Sequence, residues 1–439
     1  MIGGTGKRGL CGFGVLLRAG LSNIGEIGDM DVGDPAEMVR PVAGDGEFAA
    51  SGLPNLLDLS KPQGNYRALI EQGGYIAPME GMGVSFDRAS TDHVLRNHAL
   101  FSSRVEMNLG NVRPLIPLNV DPPQHSKYRK LLDPLFAPRR MEEQEADITI
   151  RVNNYIDGFI ERGSCNFTEE FAELLPSSVF LGLLGLPEGD LRLLLDMRDG
   201  ILHPEKIDPE ALGDFQKRQE VVNATGEQIY RYCGALVDQR ASSPAADIVS
   251  RFLAADVGGD KLSKEDILDI LFLFIIAGLD TVSDSLTCLF AFLATHPEHR
   301  KQLVENPDLI PSAVEELLRW ESPVPTGVPR VAAEDTTLPN GTYIKAGTAV
   351  LVSYGAANVD PRIIDHPFEV RFDRSPNPHI AFGAGVHRCL GSHLARRELR
   401  IALREWHRRI PDYHLAAGHE QLEYPPGLRH VKDLTLSWK

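Results

Sequence analysis

From residue 141 onward, apolar side chains recur at three- and four-residue spacing, the period of helices with one buried stripe. The pattern predicts helices over 141–162, 167–184, 212–239 and 247–255, punctuated by Pro187, Pro204 and Pro244. Ser263 followed by Asp266 forms a capping-box start, and the helix it opens runs to about 294, where His296-Pro297 stops it. A helix of roughly 30 residues with an apolar middle has to cross the interior. A shorter helix is predicted over 312–320. Strand character follows over 330–352, with Asn340-Gly341 as a hairpin signal, and then a coil rich in Pro, Asp and Arg over 358–378. One more helix runs from just after Cys389 to about 409. The expected fold class is mainly α with a minor β-sheet portion.

Composition narrows the function classes. The chain has 439 residues, 43% hydrophobic and 24% charged, ordinary for a globular protein that encloses a sizeable core. Its formal net charge of −16 argues against nucleic acid as the main partner. The five cysteines (Cys11, Cys165, Cys233, Cys288 and Cys389) are scattered and include no C-x-x-C pair, so neither a disulfide framework nor a zinc ribbon is indicated. A reducing cytoplasm fits best. The longest apolar stretch, Ile267 to Leu279, is interrupted by Asp269 and closed by Asp280, so no membrane span is expected. Residues 1–45 read as a flexible extension, and 46–439 as one domain. The run Leu10 to Leu17 faintly mimics a signal peptide but is cut short by Arg18. Gly4-Thr-Gly-Lys7 lacks the Ser/Thr and the preceding strand of a phosphate loop.

The chemically informative run is Phe382-Gly-Ala-Gly-Val-His-Arg-Cys-Leu-Gly-Ser-His-Leu-Ala-Arg396. It sets one thiol on a glycine-rich loop just before a helix, where unpaired N–H groups and the helix dipole favour thiolate. Gly383, Gly385 and Gly391 let the backbone approach a flat partner. In the long helix, Ala277 and Gly278 are small enough for a planar ligand to lie alongside. Thr281 can bond a carbonyl one turn back and loosen the ladder, and Asp280 adds an acid beside it. Glu316 and Arg319 stand at i, i+3, the spacing of a helical ion pair. His125 and Arg129 share one helix face at i, i+4.

Together these motifs resemble the cytochrome P450 monooxygenases over nearly the whole chain, from about Tyr66 to Trp438. The resemblance implies haem b (iron protoporphyrin IX) held by Cys389 as the metal ligand. Phe382, Gly383, Ala277 and Gly278 would lie beside it, with His125, Arg129, Arg330 and His387 reaching its propionates. It implies Asp280 and Thr281 as the proton-delivering acid–alcohol pair. Glu316 and Arg319 would be structural, tied to the coil containing Arg371-Phe-Asp-Arg374. The substrate pocket would be Leu273, Ile276, Ala277, Val324, Thr326 and Leu428, mostly aliphatic, which suits a small-to-medium apolar substrate. Similar stretches, such as Ile410-Pro-Asp-Tyr413, look nearest to bacterial members that oxidise terpenes such as camphor. Arg113 stands where the camphor enzyme has a substrate-binding tyrosine, and could attract a carboxylate.

The reaction expected from this resemblance is hydroxylation with one oxygen atom from O2. No flavin or iron–sulfur motif is fused to the chain, so electrons would come from a separate acidic ferredoxin and its NAD(P)H-dependent reductase. Arg388, Arg396, Arg397 and Arg400, beside Arg129 and Lys130, form a basic patch that could steer such a partner. Two alternatives stay open: a peroxide-driven haem peroxygenase, and a non-catalytic haem carrier or gas sensor.

Overall fold

The computed structural model describes residues 59–105, 107–257 and 259–438. The extension expected over 1–45 lies outside them. Eight helices frame the interior: α1 (Gln124–Leu132), α2 (Leu174–Leu184), α3 (Leu191–Leu202), α4 (Phe215–Ser242), α5 (Lys264–Gly278), α6 (Asp280–Thr295), α7 (Ile310–Glu321) and α8 (Ser392–Arg409). The α5 start is the predicted one: the Ser263 hydroxyl accepts from the Asp266 N–H, and the Asp266 carboxylate accepts from the Ser263 N–H.

The central helix differs from the expectation of one continuous rod. It is two helices meeting at Leu279. The Thr281 hydroxyl donates to the Ala277 carbonyl at 3.1 Å, and so competes for the acceptor that the regular ladder assigns to the residue 281 N–H. The region predicted over 141–162 likewise splits, into Pro138–Glu142 and Glu145–Phe159, and 167–184 opens with a π-helical turn over Thr168–Ala172.

The sheet that flanks the helices has five strands: β1 (Tyr75–Met79), β2 (Met82–Ser85), β3 (Phe101–Ser102), β4 (Arg330–Ala332) and β5 (Ala349–Val352), in the order β1-β2-β5-β4-β3. β2 and β5 run parallel, Met82 opposite Ala349, and the other pairs are antiparallel. The strand region predicted over 330–352 is therefore β4 and β5 with a small hairpin between them. That hairpin pairs Thr336–Thr337 with Tyr343–Ile344, and Gly341 takes the left-handed conformation its turn requires.

Two apolar clusters hold the helices. One sits between α6, α7 and α8, where Trp406 meets Phe167, Phe171 and Phe290 edge-on at 5.1–5.4 Å between centroids. The other surrounds α5, packing Ile267, Ile270 and Leu271 on Val222 and Ile229 of α4 and Leu194 and Ile201 of α3. Burying each such side chain contributes about 1.5–3 kcal/mol. These clusters fix the central helix from both sides.

One buried group works against this core. Glu398 of α8 is buried, its Oε2 has no hydrogen-bond partner among the described residues, and burial raises its carboxyl to about 8. A carboxyl raised on folding holds its proton in the native chain after the unfolded chain has lost it, so stability falls as pH rises between the two values. We predict that Glu398→Gln removes this component. The melting temperature of the variant relative to the parent should climb from about pH 4.5 to 8 and then level off, as read by thermal unfolding across that range.

Candidate functional site

The cysteine loop is built on backbone hydrogen bonds. Gly383 N–H donates to Ile380 O at 2.8 Å, Cys389 N–H to Phe382 O at 2.9 Å, and a 3-10 turn covers Gly385–His387. Gly383 and Gly385 have φ of 67° and 69°, which other residues rarely adopt. At Gly385 a side chain would also strike the Leu95 carbonyl. Gly391, by contrast, has an ordinary φ and open space around it, so it caps α8 without a steric need for glycine.

The expected thiolate bias is only partly present. The Cys389 side chain keeps accessible surface, yet protein atoms crowd it, and that burial pushes the thiol up. A hydrogen bond from Gly391 and the charges of Arg129, Arg388 and Arg396 pull it down by less. A coordinated metal ion deprotonates a thiol outright, so the loop depends on its metal for thiolate character.

The basic residues converge on one region but are not alike. The imidazoles of His125 and His387 lie 4.1 Å apart between centroids, and His387 Nε2 meets Ser103 Oγ at 2.8 Å. Burial, then the guanidinium of Arg330 for His387 and that of Arg129 for His125, holds them to about 2 and about 4. Burial thus favours the neutral form of both. Arg330 is buried and, among the described residues, donates only to the Val328 and Pro329 carbonyls and has no carboxylate in ion-pair range. Arg129 turns back on its own chain, to Asp133 at 2.6 Å and the Arg388 carbonyl at 2.8 Å.

This arrangement fits haem on two independent observations. A buried guanidinium with no counter-charge among the described residues, beside the buried Nε2 of His125 that has no partner among them either, suits the anionic edge of a ligand. A glycine loop that allows close approach, with one thiol and no competing metal cluster among the described residues, suits a flat macrocycle held by one sulfur.

On the central helix, Ala277 is exposed and Gly278 and Thr281 half-buried, while Ile275, Ile276, Leu279 and Asp280 are buried. Leu390, next to Cys389, packs on the same apolar cluster that holds Leu273, Ile276 and Leu279. Val324, Thr326 and Leu428 are half-buried. Asp280 does not stand free: Oδ2 is 2.9 Å from His203 Nε2, and Oδ1 3.5 Å from the buried Arg198. Despite burial, those partners hold its carboxyl well below the usual range. His203 and Arg198 are missed by sequence reasoning; a histidine before a proline and an arginine in a helix carry no motif.

Two further placements correct the sequence reading. Arg113 forks onto Asp269 of α5 at 2.8 and 3.0 Å, and Tyr230 of α4 donates to the same carboxylate. Its charge is spent inside the chain, not offered to a ligand's carboxylate. The basic patch is also largely neutralised. Arg396 and Arg400 bind Glu315, Arg397 binds Glu145, and Arg129 binds Asp133. Lys130 and Arg388 are the members with no ion pair among the described residues.

Behind the loop, Glu316 and Arg319 of α7 are fully buried and form a two-point ion pair at 2.8 and 2.9 Å. Arg319 also donates to the carbonyls of Asn358, Pro367 and Glu369, while Glu316 accepts from Arg374, Asn377 and the Arg371 N–H.

The sequence profile for Cytochrome P450 matches residues 206–406. Mycinamicin IV hydroxylase/epoxidase of Micromonospora griseorubida is 32% identical over 95% of this chain and 96% of its own. The chain belongs to the cytochrome P450 family. Nocardicin C N-oxygenase of Nocardia uniformis subsp. tsuyamanensis is 33% identical, covering 73% of this chain and 79% of its own. Among solved structures, P450BioI in complex with an acyl carrier protein ligated to hexadec-9Z-enoic acid superposes with a TM-score of 0.78 at 30% identity, over 87% of this chain and 99% of that one. This P450 is a monooxygenase-type oxidoreductase with a haem cofactor, and its helical body with small sheets is the P450 fold. No helix among the described residues is long and apolar enough to cross a membrane.

Removing one side of a buried, hydrogen-bonded ion pair strands the other charge. Arg319→Ala is therefore expected to cost about 3–5 kcal/mol of stability, measured by denaturant unfolding, with a correspondingly low yield of haem-loaded protein.

Proposed function

We propose that this P450 hydroxylates a small-to-medium apolar substrate with one atom of O2, using haem b and electrons from a ferredoxin and its NAD(P)H-dependent reductase. The observation that carries the reading is the pairing of the glycine-loop thiol of Cys389 with a broken central helix carrying Asp280 and Thr281. Cys389 would hold the haem iron through its sulfur. Arg330, with no carboxylate in ion-pair range among the described residues, would hold a propionate, and His125 and His387 would stand beside it as hydrogen-bond partners. Bound haem supplies oxygen activation and electron uptake.

The remaining work belongs to the protein. Thr281 Oγ1 rests on the Ala277 carbonyl, where its hydroxyl can turn to pass a proton, and Asp280 stands beside it in a buried polar cluster. Leu273, Ile276 and Ala277, with Val324, Thr326 and Leu428, offer an apolar wall that orients an apolar substrate and excludes water. The locked Arg113 supports an uncharged ligand over a carboxylate. The family's acid–alcohol pair favours oxygen-driven turnover over a peroxide-driven reaction. Lys130 and Arg388 supply the cations toward which an acidic ferredoxin would be drawn. A cytoplasmic location is supported by Cys165, Cys233, Cys288 and Cys389, all unpaired thiols.

Thiolate ligation predicts that the reduced carbon-monoxide complex shows the family's red-shifted Soret band and that Cys389→His abolishes it; retention of the band in the variant would falsify the ligand assignment. Proton delivery through Thr281 predicts that Thr281→Ala diverts most reducing equivalents to hydrogen peroxide. Peroxide released per NADPH, with spinach ferredoxin and its reductase, measures this, and an unchanged ratio removes Thr281 from the path.

A further inference from the structure

Asp280 has a neighbour that the family motif does not include. Asp284 lies one turn further along α6, on the same face, and both carboxyls are buried. Their surroundings are opposite. Asp280 meets two cationic or donating partners, Arg198 and His203. Asp284 has fewer: its Oδ2 has no hydrogen-bond partner among the described residues. Its Oδ1 lies 3.7 Å from His430 Nδ1, a nitrogen that donates to the Leu428 carbonyl at 3.1 Å. The other charged groups facing the pair are Glu173 from the turn before α2, Asp199 from α3, and Lys206. Asp199 accepts from Arg198 at 2.6 and 2.9 Å; the Arg198 charge favours ionising Asp284, but by less than burial and the Asp280 charge oppose it.

A buried carboxyl without donors stays protonated, because ionising it there costs several kcal/mol with nothing to offset the loss of water. The negative charge of Asp280 nearby acts in the same direction. Two carboxyls driven apart in this way divide into a charge and a proton store.

We propose that Asp284, and not Asp280, holds the proton of this buried pair and passes it toward Thr281 through Asp280. In the transfer the O–H bond of Asp284 breaks as one forms on the Asp280 carboxylate. Asp280 hands the proton on, and Asp284 regains one from solvent by way of His430, whose side chain is 22% exposed. Pairing to Arg198 and His203 makes Asp280 a weak acceptor, so those contacts gate the transfer. Asp284 acts through Asp280 and is a positioning residue of the path. The inference rests on the proposed role of Asp280 and Thr281, and its test has an arm that does not.

That arm is infrared spectroscopy of the holoprotein at neutral pH, reading the carbonyl stretch of protonated carboxyl groups and its downshift in heavy water. Two buried acids should contribute, Asp284 and Glu398. Asp284→Asn should remove one component, Glu398→Gln the other, and Asp280→Asn neither. Survival of the full signal in Asp284→Asn overturns the proposal. Should that variant not fold, carboxyl-13C aspartate in the parent chain should shift one component, and no aspartate-derived band overturns it equally.

The second arm is NADPH-driven turnover with spinach ferredoxin and its reductase. Asp284→Asn should raise peroxide per NADPH several-fold and weaken the solvent isotope effect, and Asp284→Glu should restore both. If Thr281→Ala raises peroxide and Asp284→Asn does not, Asp284 is off the path and the proposal fails alone. If neither does, the proton-path reading fails with it.

Discussion

The buried Glu316–Arg319 pair is the contact on which the rest of the site depends. Neither charge could be placed in the interior singly, and together they satisfy each other only because a coil wraps them with matching groups. Arg319 takes three carbonyls from that coil, and Glu316 takes donors from Arg371, Arg374 and Asn377. The coil then continues the chain of constraints. Asn358, whose carbonyl is held by Arg319, accepts from the Ile380 N–H at 2.7 Å, Ile380 accepts from Gly383, and Phe382 accepts from Cys389. A polar network in the dry interior thus fixes the sulfur's position through backbone hydrogen bonds. Networks of this kind contribute most when every member is satisfied.

The electrostatics around the sulfur follow a single rule: where burial wins, the group is neutral. His125, His387 and Cys389 are all shifted away from their charged forms by burial. Arg330 cannot follow, since a guanidinium keeps its proton even when burial lowers it, and it remains a cation in search of an anion. The four basic positions are therefore unequal in a way their residue types conceal.

What the sequence made legible was local. The α5 capping box, the hairpin at Asn340-Gly341 and the glycine loop each depend on residues within a few positions of one another. What it hid was long-range. The β1–β2 hairpin was not read because β1 is mostly exposed and β2 wholly buried, so neither alternates cleanly, and β2 is completed by β5, far along the chain. Arg113 looked free because Asp269 lies 156 residues away. His203 meets Asp280 across 77 residues, between a residue in no motif and one in the middle of a motif. Motifs name the residues that face the ligand, and leave out those that set their charge.

The break at Leu279 shows why the two kinds of information have to be joined. Thr281 back-bonds to the Ala277 carbonyl, which loosens the helix beside the small residues and restarts it at Asp280. That restart puts Asp280 in the first turn of a new helix, where a negative charge is favoured by the dipole. Asp284, a turn later, gets less of that help and has a bare Oδ2 among the described residues. One threonine hydroxyl therefore does two things at once: it opens the helix at Ala277, and it sets two aspartates four residues apart in unlike fields. The acid–alcohol motif is usually read as a pair of side chains, but here its electrostatic effect is carried by the backbone it rearranges.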